Sequence, residues 1–326
     1  MTTFKEIRGT AIQVVSSDPS NPEAGQIWYN SSSGTLKGYA LANVNAWSSG
    51  GSLNNARQAT AGFGTQTAAV AAGTQSSPFV LTELYNGTSW TSSGALTAQQ
   101  SYAAGAGTQT AGLVFGGGYP TPVSTTQSFN GSTWSNVPAT LNTTRRNLGS
   151  AGIQTAALAF GGLTDPGRLS ATESYNGSSW TSVNSMNAAR SNIASFGTQT
   201  AAVAAGGDFP YVGTTELWNG TSWTTNPTGL NTPRSYICGA GTQTAGLAAG
   251  GYNPPTTYGS TELWNGTSWT SNPTGLATAR FIYNGNAGTQ TAALAFGGEV
   301  PGSPSVTTAT EEWTGQQLQS KTITVS

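Results

Sequence analysis

Residues 197–223 read GTQTAAVAAGGDFPYVGTTELWNGTSW, and the beginning and end of this stretch recur along the chain. The opening pattern occurs six times, starting at Gly64, Gly107, Gly152, Gly197, Gly241 and Gly288. The closing tryptophan recurs at intervals of 43 to 46 residues, at Trp47, Trp90, Trp134, Trp180, Trp223 and Trp269. A repeat of about 44 residues is the length of one four-stranded blade, so the sequence predicts an all-β, six-bladed β-propeller.

Each repeat divides into four short strands, which we call a to d. Strand a follows an apolar residue in every copy, at Leu53, Leu96, Leu141, Met186, Leu230 and Leu276. Strand b is the apolar run, such as 156–160, which is too short for a helix and fits a strand buried on both faces. Strand c carries the T-E-x-aromatic sequence, and strand d carries the tryptophan. The Asn-Gly pair between c and d predicts a type I′ turn, in which both residues have positive φ.

The order of these strands is out of phase with the chain ends. The first complete signal is the strand d of Trp47, and the last is the strand c of Trp313. The sixth blade therefore needs a strand d from elsewhere, and residues 39–48 are favoured because they contain Trp47. The alternative is that residues 316–325 supply it. The predicted organisation is an N-terminal extension or hairpin over 1–38, the propeller over 39–315 and a C-terminal tail over 316–326.

The repeat has one basic and one acidic position. Five copies carry an arginine and a glutamate there: Arg57 with Glu83, Arg145 with Glu173, Arg190 with Glu216, Arg234 with Glu262, and Arg280 with Glu311. The second copy carries Gln100 and Gln127 instead. Losing one partner would leave a buried charge unpaired, at about 3–5 kcal/mol. The paired exchange therefore predicts that each arginine meets the glutamate of its own blade, as a structural pair and not as part of a catalytic ring.

The connections between strands b and c differ from one repeat to the next, in contrast to the nearly identical G-T-Q-T and Asn-Gly turns. Rigid aromatic side chains on loops over a stiff scaffold suit recognition of a protein or a glycan. The predicted binding residues in these loops are Phe79, Tyr119, Asp165, Arg168, Asp208, Phe209, Tyr211, Tyr252 and Tyr258. The alternative is that these side chains only cover the mouth of the propeller.

The composition argues against several classes of function. The 326 residues carry a net charge of −1, 7% charged residues and no histidine. Nucleic-acid binding needs a cluster of basic residues, which this sequence lacks. Without histidine, histidine-ligated zinc or copper sites and Ser-His-Asp or Cys-His nucleophiles are excluded. We expect no enzyme activity, metal or cofactor. Two alternatives stay open. Two acids from adjacent loops could pair as in a glycosidase, among Asp165, Asp208, Glu299 and Glu312, and Asp165 or Asp208 could bind calcium.

The chain ends and the single cysteine complete the expectations. The first ten residues include Lys5, Glu6 and Arg8 and lack an apolar run, so no signal peptide is expected. No stretch reaches the length of a membrane span, so membrane insertion is not expected. Cys238 is the only cysteine and occupies an apolar position of strand a, which predicts a core residue. Residues 1–38 do not repeat, and they are interpreted as a docking segment or as a strap on the propeller wall.

The repeat resembles the Kelch repeat. The resemblance rests on Leu-x-x-x-Arg at 230–234, the double glycine at 250–251, and the series Glu262, Trp264 and Trp269. It covers residues 40–315 and implies a propeller fold, but a fold of this kind hosts many unrelated functions.

A narrower resemblance is to structural proteins of marine bacteriophages. Two motifs resemble repeats of those proteins: G-T-Q-T-A-A-x-A-F-G-G and T-E-L-W-N-G-T-S-W-T. Residues 25–30 with 34–38 are similar to short N-terminal modules of phage fibres and other virion proteins. This implies a non-enzymatic virion protein, made in the host cytoplasm, that contacts other virion proteins through its N-terminal segment and a host surface protein or glycan through its propeller. The alternatives are a stand-alone, lectin-like propeller and, third, a glycan-active enzyme.

Overall fold

The computed structural model describes residues 12–23, 25–42, 45–165, 167–208, 210–302 and 305–323. These residues form β-strands, turns and loops, so the predicted all-β class is confirmed. In this part of the chain there is no helix with the length and hydropathy needed to cross a membrane. The chain divides into two compact units, one of Met1–Asn45 with Gly315–Ser326 and one of Ala46–Thr314.

The larger unit contains six four-stranded antiparallel sheets among its described residues, which we number in chain order. Sheet 1 is β5 Ala61–Thr65, β6 Ala68–Ala72, β7 Thr82–Tyr85 and β8 Trp90–Ser92. Sheet 2 is β9 Ala104–Thr108, β10 Ala111–Phe115, β11 Thr126–Phe129 and β12 Trp134–Val137. Sheet 3 is β13 Gly149–Ile153, β14 Ala156–Phe160, β15 Thr172–Tyr175 and β16 Trp180–Val183. Repeated sheets of this kind are the units of β-propellers.

The other three sheets repeat the same order, with one exception in the last. Sheet 4 is β17 Ala194–Thr198, β18 Ala201–Ala205, β19 Thr215–Trp218 and β20 Trp223–Asn226. Sheet 5 is β21 Cys238–Thr242, β22 Ala245–Ala249, β25 Thr261–Trp264 and β26 Trp269–Asn272, with a small hairpin, β23 Tyr252–Asn253 and β24 Thr256–Thr257, in its b–c loop. Sheet 6 is β27 Asn286–Gly288, β28 Ala292–Phe296 and β29 Thr310–Thr314, completed by β4 Ala46–Ser49.

The completion of sheet 6 confirms the predicted source of its outer strand. β4 pairs with β29 in antiparallel register, with Trp47 opposite Trp313, and their ring centroids lie 5.5 Å apart. The alternative segment pairs elsewhere, because β30 Gln317–Thr322 belongs to the smaller unit.

The smaller unit contains its own four-stranded sheet, in the order β1 Gln13–Val15, β2 Ile27–Asn30, β3 Thr35–Ala42 and β30. β1 and β2 are parallel, whereas β3 is antiparallel to both β2 and β30. The predicted boundary at residue 38 falls inside β3, because that strand continues to residue 42 in its pairing with β30. The two units therefore divide the chain at different residues from those expected.

Aromatic packing joins neighbouring sheets of the larger unit. The ring of Trp223 in sheet 4 lies 4.8 Å from Phe160 in sheet 3, within one buried cluster that also contains Trp218. The strands a of neighbouring sheets also approach closely. A Cβ atom at Gly239 would lie 2.8 Å from the backbone nitrogen of Ser195, so this position requires glycine.

Two repeated side chains bind each sheet to the one before it. The tryptophan of strand d donates from Nε1 to a threonine hydroxyl, as Trp269 does to Thr215 at 2.9 Å. The glutamine of G-T-Q-T donates from Nε2 to two backbone carbonyls, as Gln243 does to Ala202 at 3.1 Å and Trp218 at 2.6 Å. Sheet 1 makes the same bonds to sheet 6: Trp90 to Thr310, and Gln66 to Ala293 and Trp313. The repeat thus encodes contacts between sheets as well as strands.

The prediction of type I′ turns is wrong. Trp218 pairs with Trp223, so a four-residue loop separates them, and only Gly220 among its residues has positive φ, at 91°. Asn219 keeps a negative φ, because its side chain closes the loop by hydrogen bonds. Its Oδ1 accepts the backbone N–H groups of Thr221 at 2.9 Å and Ser222 at 2.8 Å, which is an Asx-type turn.

Cys238 lies in the core, as the sequence predicts, and we expect its thiol to report unfolding. The side chain is fully buried, and burial raises the pKa of the thiol to about 12. Because the thiolate is the reactive form, alkylation by iodoacetamide at pH 8 should be negligible in the folded protein and rapid in denaturant. Mass spectrometry after timed alkylation measures this, and fast labelling of the native protein would contradict it.

Candidate functional site

The antiparallel sheets give the larger unit two kinds of surface. The a–b and c–d connections lie at one end of the strands, which we call the turn face. The b–c and d–a connections lie at the other end, which we call the loop face. Because the turns repeat and the loops differ, an asymmetric binding site belongs on the loop face.

The structure brings some of the predicted binding residues together and leaves others apart. Tyr211 and Tyr252 form an edge-to-face pair with centroids 6.0 Å apart. Asp165 is exposed and lies 3.9 Å from Arg146. Among the described residues, Phe79 and Tyr258 make no ring contact with another aromatic side chain. Phe209 lies outside the described residues.

Seven aromatic side chains form a continuous series across the loop face, which we call the aromatic strip. Its members, in order of contact, are Tyr119, Tyr102, Tyr283, Tyr236, Phe281, Tyr252 and Tyr211. Successive ring centroids lie 6.0, 5.5, 4.9, 5.7, 4.6 and 6.0 Å apart. Tyr119 is the most open of them, with 49% of its surface exposed. Aromatic residues are enriched in the cores of protein interfaces.

Four members of the strip were missed from the sequence: Tyr102, Tyr236, Phe281 and Tyr283. They lie in the d–a connections, one to three residues after the repeated arginine or its glutamine substitute. The equivalent residues in other repeats include Ala59 and Asn147, so this position also varies. Attention to variable positions in the d–a connections, and not only in the b–c loops, could have found them.

The backbone beneath the strip is held in an unusual conformation. Tyr102, Asn147, Asn192 and Tyr236 all have left-handed φ values, between 54° and 57°. Each donates its backbone N–H to the carbonyl of the corresponding residue in the preceding sheet, at 2.8 to 3.0 Å. Such backbone outliers persist only where the surrounding structure fixes them. Tyr102 and Tyr236 therefore lie in a continuous series of backbone hydrogen bonds that links neighbouring sheets.

Asp208 is the centre of a fixed ionic cluster at the side of the strip. Its carboxylate is almost fully buried and binds Arg168 at 3.0 Å from Nε and 3.3 Å from Nη2. It also accepts hydrogen bonds from the Ser191 hydroxyl at 2.6 Å and the Asn192 amide at 2.9 Å. Arg168 belongs to the b–c loop of sheet 3 and Asp208 to that of sheet 4, so this cluster locks two neighbouring loops together.

Two tyrosine hydroxyls of the strip, those of Tyr102 and Tyr283, are held in the neutral form by raised pKa values. Burial raises the pKa of Tyr102 to about 12, and the Glu299 charge adds to this. Burial and then Glu299, which accepts the Tyr283 hydroxyl at 3.0 Å, raise the pKa of Tyr283 still further. At neutral pH these groups donate hydrogen bonds and present ring faces, and they offer no phenolate for proton abstraction.

The repeated charges are not available at this surface. All five Arg–Glu pairs of the sequence analysis are present within single sheets, and both side chains are buried in each. In sheet 2 the Gln127 amide donates to Gln100 at 2.6 Å. The Glu216 carboxylate also accepts the Asn187 backbone N–H at 2.7 Å, so its oxygens are occupied by structural contacts.

A narrow cavity of about 150 Å³ lies between the strands a of the six sheets. Its wall consists mainly of glycine and alanine residues, with two aromatic and four polar residues: Phe63, Phe196, Ser150, Ser195, Asn284 and Asn286. Ser150 donates to the Gly105 carbonyl at 2.8 Å, and Asn286 donates to Gly239 at 2.7 Å. Within the described residues, no three His, Cys, Asp or Glu side chains are grouped to hold a metal ion. The aromatic strip is therefore the stronger candidate for a site.

In comparisons with known proteins, no family model and no curated protein matches the chain.

Proposed function

We propose that the six sheets are the blades of one closed, Kelch-like β-propeller. Support comes from the tryptophan and glutamine bonds, which join each sheet to the one before it and sheet 1 to sheet 6. Closure removes the open sheet edges that would otherwise recruit other chains. A small-angle scattering curve that requires an open or extended arrangement of the sheets would contradict this proposal.

We further propose that the protein is a non-enzymatic binding module whose contact surface is the loop face. The observation that carries this proposal is the aromatic strip, because its seven rings are contiguous and two of them, Tyr102 and Tyr236, stand on hydrogen-bonded left-handed backbone. An extended series of aromatic rings flanked by charged side chains suits a protein partner better than a small substrate, which needs a concave pocket.

The biological setting that fits best is the virion of a phage, with the protein made in the host cytoplasm and carried on the particle as a structural or adhesion component. The support is that the repeat motifs and residues 25–38 resemble sequences of phage structural proteins. In the smaller unit, Asp18 accepts hydrogen bonds from Trp28 at 3.1 Å, Asn30 at 2.7 Å and Lys37 at 2.7 Å. These bonds hold the pKa of Asp18 at about 2 and fix the loop before β2. We assign this unit the contact with other virion proteins.

Truncation of Tyr211 or Tyr252 to alanine tests the proposed contact face. A buried aromatic anchor contributes about 2 kcal/mol or more to binding, so each change should weaken attachment about 30-fold. Adsorption of variant particles to host cells measures the effect, and thermal melting of the purified proteins should stay within a few degrees of the wild type.

A change on the turn face provides the matched control. Ile153 is 54% exposed and stands where the other five repeats have threonine, so Ile153→Thr restores the repeat without touching the loop face. Adsorption should be unchanged. If Ile153→Thr abolishes adsorption while the tyrosine variants adsorb normally, the turn face is the contact surface. If soluble host glycans and not host proteins compete for adsorption, the protein is a lectin.

A further inference from the structure

Asp208 and Glu299 occupy the same position of the repeat, immediately after the double glycine that ends strand b. Asp208 is neutralised by Arg168, which reaches it from the b–c loop of the preceding sheet. The corresponding loop before Glu299, residues 252–260, contains no lysine or arginine. The two carboxylates thus occupy equivalent positions, but the preceding b–c loop provides an arginine partner only for Asp208.

Glu299 has a single side-chain partner among the described residues, the neutral hydroxyl of Tyr283. The Tyr283 ring lies in the middle of the aromatic strip, 5.5 Å from Tyr102 and 4.9 Å from Tyr236. Glu299 is half-buried, so its negative charge stands beside the rings at the surface and is not sequestered. A carboxylate next to tyrosine faces attracts a cation through both its charge and the ring quadrupoles.

Two arginines of the loop face already bind an aromatic ring or a carboxylate of the same face. The guanidinium of Arg146 lies over the Tyr119 ring, 5.5 Å from its centroid, at one end of the strip. Arg168 binds Asp208 with two nitrogens on the other side. On the loop face, Asp165 and Asp208 each lie within 4 Å of an arginine. Among the described acidic residues of this face, Glu299 is the one that accepts a tyrosine hydroxyl and has no ion pair.

We propose that Glu299 and the rings of Tyr283 and Tyr102 bind a lysine or arginine side chain of a partner protein. This inference rests on the proposed binding function of the loop face and names its partner as a polypeptide with an exposed basic residue. The guanidinium of arginine fits best, because it pairs with a carboxylate and stacks on aromatic faces at the same time.

The test uses the full chain labelled with ¹³C in its tyrosine rings and a defined probe, the peptide N-acetyl-Gly-Arg-Gly-amide. Its neutral counterpart has citrulline in place of arginine. We expect the NMR signals of Tyr283 and Tyr102, assigned from single Tyr→Phe variants, to shift on titration with the arginine peptide and not with the citrulline peptide. In Glu299→Gln the apparent Kd should rise at least about fivefold, since the charge-assisted contact is lost.

Glu312→Gln is the matched control, because Glu312 also accepts a tyrosine hydroxyl, that of Tyr85, away from the strip. It should leave the titration unchanged. Equal shifts with both peptides, no shift with either, or unchanged affinity in Glu299→Gln would each overturn the proposal. If that happens while Tyr211→Ala still impairs adsorption, the loop-face function stands without the cation site. If the arginine peptide binds as expected and the tyrosine variants adsorb normally, it is the proposed function that fails.

Discussion

Glu216→Gln is expected to lower the free energy of unfolding by about 3–5 kcal/mol, because it leaves the Arg190 guanidinium buried without a counter-charge. The two side chains lie 2.7 Å apart and are almost fully buried. The substitution keeps the shape of the glutamate but turns one acceptor oxygen into an NH2 group, so the loss reports the charge and its hydrogen bond and not a cavity.

The double variant Arg190→Gln with Glu216→Gln should recover most of this loss, because sheet 2 already uses that pair. Gln100 donates to the Gly116 and Thr125 carbonyls at 2.9 and 2.8 Å. Arg190 donates to the equivalent carbonyls, Gly206 and Thr214, at 2.8 and 2.7 Å. A neutral pair therefore satisfies the same backbone groups.

Urea denaturation of the wild type, both single variants and the double variant measures the coupling between the two residues. We expect the double variant to lie within about 2 kcal/mol of the wild type, since a well-satisfied neutral pair can replace a buried ion pair. A double variant as unstable as the sum of the single variants would show that the pairs are independent and that the exchange in sheet 2 is coincidental.

The repeat explains why strands and ion pairs could be predicted from the sequence. Each strand position occurs in six copies, so two positions that change together in one copy, as Gln100 and Gln127 do, indicate a contact. The sequence did not reveal that Gln243 bonds to the preceding sheet, because such a bond depends on the distance between two sheets. Nor did it reveal the Asn219 turn, since an Asn-Gly pair suits several loop geometries and the four-residue spacing decides among them.

The aromatic strip shows a different limit. Its residues come from the d–a and b–c connections of several sheets, and only the packing of these sheets brings the rings together. Tyr283 depends on an irregularity as well: Gly288 lies eight positions after Arg280, whereas Gly241 lies seven positions after Arg234. The pattern of the repeat shows this extra residue, but its consequence, a tyrosine in the middle of the strip, follows from the path of the backbone.

Trp47→Ala is expected to destabilise the larger unit by about 3 kcal/mol, the lower end of the range for truncating a buried aromatic, because Trp47 is only partly buried. The change removes the packing on Trp313 and the bond from Nε1 to the Thr261 hydroxyl at 2.8 Å. It also weakens the only one of the six sheets that takes a strand from the distant N-terminal part of the described chain.

The matched control is Trp180→Ala, which removes the equivalent tryptophan from sheet 3, where the c–d loop joins strand d directly to its neighbour. Hydrogen exchange followed by mass spectrometry separates the two cases. In Trp47→Ala, the amides of β4 and β29 should exchange faster under native conditions while those of sheets 2 and 3 stay protected. In Trp180→Ala, sheet 3 should be affected and β4 should not. No turn connects β4 to β29, so the detachment of β4 costs less free energy than global unfolding. Equal protection of β29 in both variants would show that Trp47 does not secure the closing strand.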